Sequence, residues 1–580
     1  MGAVGVAAML ASLFMAGVNA PDASAKPQPE VLYVGTFAGV TTPAAQTFSS
    51  IQGAVNAAKP GDWILIAPGD YHENDDAGIT QANSYTQSGW YGGVVIDTPG
   101  IHLRGMNRNS VIVDGTLSSA SATCSPAPGD QNYLSGLGRN GILVWKASGV
   151  SIDNLTVCNF LNGTGNAGNG IWWNGGVGSG KIGLKNYEGS YLTATSTFFQ
   201  GSDSNTSDYD YAAVCADCGL YGIFSSDSSG GSWNQVYANN FSDSGAYIGA
   251  CQRACDAIVD NATFENNALG YSGTNSGGQL VIENSTFDNN KEGLDTNTAL
   301  TGDPPPPQDG ECPGNKPIST SVLIPGSVNS CWVFTGNKVF DNNNPDVPVY
   351  GTAGLGPTGT GMTISGGRYD TITDNEFYGN DAWGMLFVPY PDGNLSSDGK
   401  TCKGTGGLNA TSLGISGVDC IYDPEGDASL NNEFSGNGSW GNPSNSDVGN
   451  LLLGGHEPEN CAAGNTEWQD STFTTQTGPA TYADAISTTC GTRTPKTHLL
   501  GSNTDGTLLI QAECDSGLLT SSCSSANYPQ ASPGVMASTP TEPLPGASSL
   551  TDPSSSNLAS MPNPCSGVPA NLWCPGGSPA

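Results

Sequence analysis

From residue 31 onward, apolar residues come in short bursts broken by Gly, Asn, Asp or Pro. The first departure from that rhythm is Phe48, Ile51, Ala54, Val55 and Ala58. Their three- and four-residue steps put them on one face of a short helix, which Pro60-Gly61 ends. Trp63-Ile64-Leu65-Ile66 then reads as a buried strand, and Ala67-Pro68-Gly69-Asp70 as a turn. Further strands are expected at Val94–Ile96, Ile101–Leu103, Val111–Val113, Ile142–Trp145 and Val150–Val157.

Self-similarity follows. The unit Asn-x-x-Phe-(Asp/Glu)-Asn-Asn occurs at Asn261, Asn284 and Asn337, with looser copies around Phe241, Phe377 and Phe434. Phe241, Phe264 and Phe287 are spaced by 23 residues, and the spacing widens further along the chain. A fixed period that tolerates insertions marks a solenoid with loops leaving from one side. A unit this short holds one β-coil and not two helices. Equivalent residues then stack about 4.8 Å apart. Phe287 and its equivalents are expected to fill the core, and Asn289 and Asn290 to bond up and down the corners.

The start PAAQTFSSIQGAVNAAKPGDWILIAPGDYHE, the stretch TPGIHLRGMNRNSVIVDG and the Asn-x-x-Phe-x-Asn-Asn coils resemble the right-handed parallel β-helix family. This is the pectin-lyase-like superfold, in its generic secreted branch. The resemblance spans residues 31–455. It implies an all-β chain, a right-handed parallel β-helix (solenoid) with a short N-terminal capping helix. It implies no particular activity, because the superfold hosts lyases, hydrolases, epimerases, phage spikes and adhesins.

The flanks differ in composition. Residues 1–25 are apolar and small, and Ala23-Ser24-Ala25 fits a signal-peptide cleavage site, although a basic start is missing. Residues 456–537 carry four cysteines and are expected to cap the C-terminal end of the solenoid. Residues 538–580 are Pro/Ser-rich and expected to be a mobile tail. Sixteen cysteines, mostly close in sequence, indicate disulfides and an extracellular location. Cys215, Cys218, Cys251 and Cys255 offer a four-thiolate zinc site as the alternative.

Charge narrows the partners. Seventeen Lys and Arg stand against 52 Asp and Glu, a net charge of −35, without a basic cluster. Nucleic acid and anionic lipid surfaces are excluded as partners on that ground. After the first 25 residues no apolar run reaches the about 20 residues of a membrane span. A monomer that meets a polysaccharide or cell-wall glycan is the expected form.

The paired-Arg, paired-Asp, Gly-His-Gly and Asp-Pro-His patterns of the superfold's lyases, polygalacturonases and epimerases are missing, so no family catalytic residue carries over. Carboxylates remain. Glu265 and Asp288 lie 23 residues apart and are expected to stack on adjacent coils, roughly 5 Å apart, the separation used by retaining glycosidases. Glu292 and Asp295 are expected in the loop just after them. Tyr271, Trp172 and Trp173 would serve as sugar-stacking platforms. Asp203, Asn205, Asp208 and Asp210 offer hard oxygen ligands for Ca²⁺. These residues point first to a polysaccharide-directed protein, with glycoside hydrolysis by paired carboxylates as its chemistry. A non-catalytic cell-surface β-helix is the alternative, and a metal-dependent polysaccharide lyase the third.

Overall fold

Two long sheets, one of 22 strands and one of 11, wind together into a right-handed parallel β-helix. The computed structural model describes residues 29–467 without 38, 74–76, 80–89, 133–135, 164–166, 177–180, 200–216, 252–253, 298–311, 313–321, 324–328, 350, 393–394, 403–406, 414–418, 443 and 452–459. It also describes 486, 488, 490, 514–515 and 558–580. The 1–25 segment and the Asp203, Asn205, Asp208 and Asp210 group lie outside the described residues.

Each central coil gives one strand to the smaller sheet and two to the larger. The larger sheet fuses two rows through the long strands Ser151–Cys158 and Glu188–Thr195, which pair with both. Parallel pairing continues past residue 455, where Cys461–Ala463 and Thr466–Glu467 add to Ala428–Leu430 and Glu433–Ser435. The helix Ile51–Ala57 caps the N-terminal end. Ser50 caps its first turn by accepting from the Gly53 N–H. The buried Glu73 carboxylate takes the Ile51 and Gln52 N–H groups at 2.6 and 3.1 Å, satisfying orphan donors of that turn.

The core column runs Ala238, Phe264, Phe287, Val339, Phe377, Phe434 in register. Two expected members differ. Phe241 is three residues past the registered position, and its ring fills space beside Gly219 and Gly222. Phe340 is one residue past it and faces outward, stacked on Tyr378 at 4.6 Å. In that coil Asn337 occupies the place of Ser285, so the repeated motif is shifted by one residue against the backbone.

The corners carry two asparagine ladders. Asn290, Asn342, Asn380 and Asn437 each accept from the asparagine below, starting from Asn267, with amide-to-amide bonds of 3.0–3.1 Å. Asn337, Asn375, Asn432 and Asn465 form the second. Asn289 belongs to neither; it turns the corner with φ at 52°, a conformation Asn tolerates.

Cys124–Cys158, Cys251–Cys255, Cys312–Cys331, Cys402–Cys420, Cys461–Cys490 and Cys565–Cys574 are disulfides. Cys218 is also disulfide-bonded, so three of the four thiolates of the zinc alternative are used in disulfides; Cys215 lies outside the described residues. The expected mobile tail is not free over residues 558–580. That segment lies on the first coils: Arg104 donates to the Ser566 carbonyl at 2.6 Å, Asn154 accepts from Ser560 and Met561, and Trp573 is buried against Tyr33 and Phe37. Among the described residues, no helix is long and apolar enough to cross a membrane.

Candidate active site

The outward face of the 11-stranded sheet carries the candidate groups. Its strands run Ser244–Gly249, Leu269–Ser272, Glu292–Asn297 and Thr360–Ser365 from coil to coil. Each contains a glycine at the bend over the first asparagine ladder: Gly245, Gly270, Gly293 and Gly361. A Cβ at Gly293 would lie 2.2 Å from the Gly361 carbonyl oxygen.

That bend decides which side chains face out. Glu292 and Asp295 lie on a strand, not in the expected loop, and both face outward. Asp295 is part-exposed, in the column Tyr247–Ser272–Asp295–Thr363. Glu292 is fully buried; a Cβ at Gly356 would sit 2.0 Å from its Oε2. Beside it Lys291 is buried and donates to the Gly356 carbonyl. Asp243, which sequence reasoning missed, occupies the same place in its coil as Lys291 and is part-exposed. Its Oδ2 accepts from Tyr221 at 2.8 Å. The signal for it was its position two residues before the repeated glycine.

Burial pushes the Asp243 carboxyl up to about 7, with the charge of Asp295 adding to the rise and Tyr221 opposing it. Burial lifts Asp295 to about 7 as well, against hydrogen bonds from Ser365 and Asn297. Glu292 is held well above the usual carboxylate range, by burial first and by Asp295 next. The buried Asp515 adds a fourth carboxyl, itself raised by burial and set against Lys291 and Glu292, so four carboxyls share one region in which not all can ionise near neutrality.

Aromatic rings continue the same face toward the N-terminal coils. Tyr221 stacks on Phe224 at 4.5 Å, Phe224 on Trp172 at 4.9 Å, and Tyr247 meets both Tyr221 and Phe224 edge-on. Tyr221 and Phe224 are part-exposed, whereas Trp172 is largely covered at 6%. Two expected platforms fall away. Trp173 alternates into the core against Tyr187 and Trp233, and Tyr271 is fully buried with its hydroxyl on the Ile248 carbonyl.

Glu265 and Asp288 are in register on adjacent coils, as their spacing predicts. They belong to the 22-stranded sheet, apart from Glu292 and Asp295. Glu265 is fully buried and takes the Tyr237 hydroxyl; Asp288 is 5% exposed beside Asn289. Neither presents an open carboxyl to a sugar.

No family model matches this chain, and no curated protein matches it. Among solved structures it is similar to the mannuronan C-5 epimerase AlgE6 A-module of Azotobacter vinelandii (12% identity, TM-score 0.37, 73% of this chain and 95% of that one). It is also similar to an alginate lyase from Paenibacillus (12%, TM-score 0.32, 77% and 98%). A third similar structure is the tailspike protein of E. coli bacteriophage HK620 in complex with a pentasaccharide (12%, TM-score 0.35, 74% and 64%). The fold itself rests on the register of the coils.

Proposed function

We propose that this protein acts outside the cell on a polysaccharide and hydrolyses its glycosidic bonds at the carboxyl cluster of Asp243, Glu292 and Asp295. The observation that carries this reading is two part-exposed carboxyls, each lifted to about 7, beside the Tyr221–Phe224 ring stack. With both lifted to about 7, each can hold or release a proton near neutral pH, so one can serve as acid while the other serves as base. The protonated one donates to the leaving glycosidic oxygen. The ionised one activates water or attacks the sugar carbon. Glu292 has no open surface and acts as a positioning residue, its own carboxyl kept protonated by burial and by the charge of Asp295. A sugar ring lies against Tyr221 and Phe224, whose faces supply apolar contact. Four carboxyls, Asp243, Glu292, Asp295 and Asp515, against one buried Lys291 favour an uncharged glycan over a uronate chain. The disulfides support the extracellular setting.

The test is incubation of oxidised protein with neutral and acidic polysaccharides, with fragment masses read afterwards. Saturated fragments that disappear in Asp243→Asn and Asp295→Asn support the proposal. Fragments lighter by one water would replace it with a lyase. Retention on a glycan column without any product would replace it with a binding role.

A further inference from the structure

A second cluster lies at the N-terminal end of the 22-stranded sheet. Gly69–Tyr71 pairs with Val111–Asp114, so Asp70 and His72 alternate to the same outward side and Asp114 follows beside them. One ligand atom from each of Asp70, His72 and Asp114 lies within 4.8 Å of the other two. His72 Nδ1 is 3.0 Å from the Thr116 carbonyl. A carbonyl only accepts, so this nitrogen carries the hydrogen, and in the neutral ring Nε2 holds the lone pair. Nε2 is also the atom that faces Asp70, at 3.5 Å.

The surrounding contacts fix all three groups. Asp114 is fully buried and accepts from the Thr116 N–H and hydroxyl and from the Cys124 N–H. The Asp70 carboxylate accepts from Thr123 at 2.7 Å. The Cys124–Cys158 disulfide ties down the loop that supplies Thr123 and Cys124. Asp70 is exposed and His72 half-buried, so the cluster opens to water on one side. An imidazole oriented through its far nitrogen by a backbone carbonyl, with the Asp70 carboxylate facing the near one and Asp114 close by, is the arrangement of a ligating histidine and its outer partners.

We propose that Asp70, His72 and Asp114 bind a divalent transition-metal cation of the Zn²⁺, Co²⁺ or Mn²⁺ class. Mixed nitrogen and oxygen donors suit these ions better than Ca²⁺ or Mg²⁺. Three protein ligands leave the remaining positions to water. The competing occupant is a proton on Nε2, so binding releases it as the ion enters. The site lies outside the Asp243–Asp295 carboxyl cluster and does not depend on the hydrolytic reading.

The experiment uses the oxidised full chain after chelator treatment. Co²⁺ is titrated at pH 8 and followed by its visible absorption, with Zn²⁺ as competitor and thermal melting as a parallel readout. One saturating equivalent, and a melting temperature raised by Zn²⁺, are expected. His72→Gln and Asp70→Asn should each weaken binding by about tenfold or more. Asp70 is exposed, so Asp70→Asn gives a folded control if the histidine variant does not fold. The absence of a saturable Co²⁺ spectrum and of a Zn²⁺ shift up to millimolar ion would overturn the proposal. So would wild-type affinity in the folded variants.

Discussion

Glu292 and Asp295 are three residues apart on one strand yet share one side of the sheet, because Gly293 and Leu294 between them both turn inward. A regular strand would send these two acids to opposite faces. The bend therefore assembles the candidate site, and it depends on a missing side chain. Gly293→Ala should lower stability by about 1–3 kcal/mol, since the added methyl meets the Gly361 carbonyl and the Val339 side chain. Denaturant unfolding checks this. An unchanged midpoint would show that the coil spacing is looser than the register requires.

Removing either part-exposed carboxyl should abolish turnover while leaving glycan affinity nearly intact. Asp243→Asn and Asp295→Asn are each expected to slow hydrolysis by about 10²–10⁴-fold. Tyr221→Ala should instead weaken substrate binding, with the Asp243 hydrogen bond lost as a secondary effect. Initial rates over a range of substrate concentrations separate the two outcomes.

The same pair fixes a pH dependence. Both acids rise from the ordinary 3.8 to about 7 on folding. The folded protein then holds protons that the unfolded chain has already released. Their contribution to stability is complete below about 3.8 and is lost as pH climbs toward 7. Thermal melting of the wild type should fall across this window. Asp295→Asn should flatten the fall and melt higher than the wild type at pH 8. Activity should peak narrowly around neutrality, because one carboxyl must carry a proton and the other must not.

The asparagine ladder makes a separate prediction. Asn290 donates to the Phe264 carbonyl and to Asn342 while accepting from Asn267, all in buried surroundings. Asn290→Ala leaves those partners unsatisfied and should cost about 1–3 kcal/mol or more, since several buried groups are affected together. Asn289→Ala, at the neighbouring corner, should cost less, through backbone strain and the loss of one long hydrogen bond to Asp288. Comparing the two variants by chemical denaturation tests whether the column or the corner matters more.

Trp573 offers a fifth handle. It is fully buried against Tyr33 and Phe37, far away in sequence. Trp573→Ala should release residues 558–580 to limited proteolysis at concentrations that leave the wild type whole. The truncated ring would forfeit on the order of 3–5 kcal/mol of packing.

The fold was legible because its signals are local and repeated. The helix at residues 51–57, the strand Trp63–Ile66 and the 23-residue step from Phe264 to Phe287 all appear where the pattern places them. Phe340 misled because a motif match cannot see a one-residue register shift, which moves a side chain from core to surface. The candidate site was only half legible. Asp295 stands out by composition, but Asp243 gains meaning only when the coils stack. Trp173 and Tyr271 look like sugar platforms until strand alternation and the bend send them inward. The docking of residues 558–580 had no signal at all, since nothing in a Pro/Ser-rich stretch names a partner several hundred residues earlier.

That docking orders events during synthesis. Val31, Tyr33, Trp63, Leu65 and Met106 form one apolar patch with Val568 and Trp573. The first five leave the ribosome hundreds of residues before the other two exist. Until then the earliest coils present an uncovered greasy surface, with the Arg104 guanidinium lacking its Ser566 acceptor. Growth of the β-helix can proceed coil by coil from there, but its starting end is sealed only after translation has passed residue 573. A nascent chain released early would keep that surface open to chaperones, proteases and its own siblings.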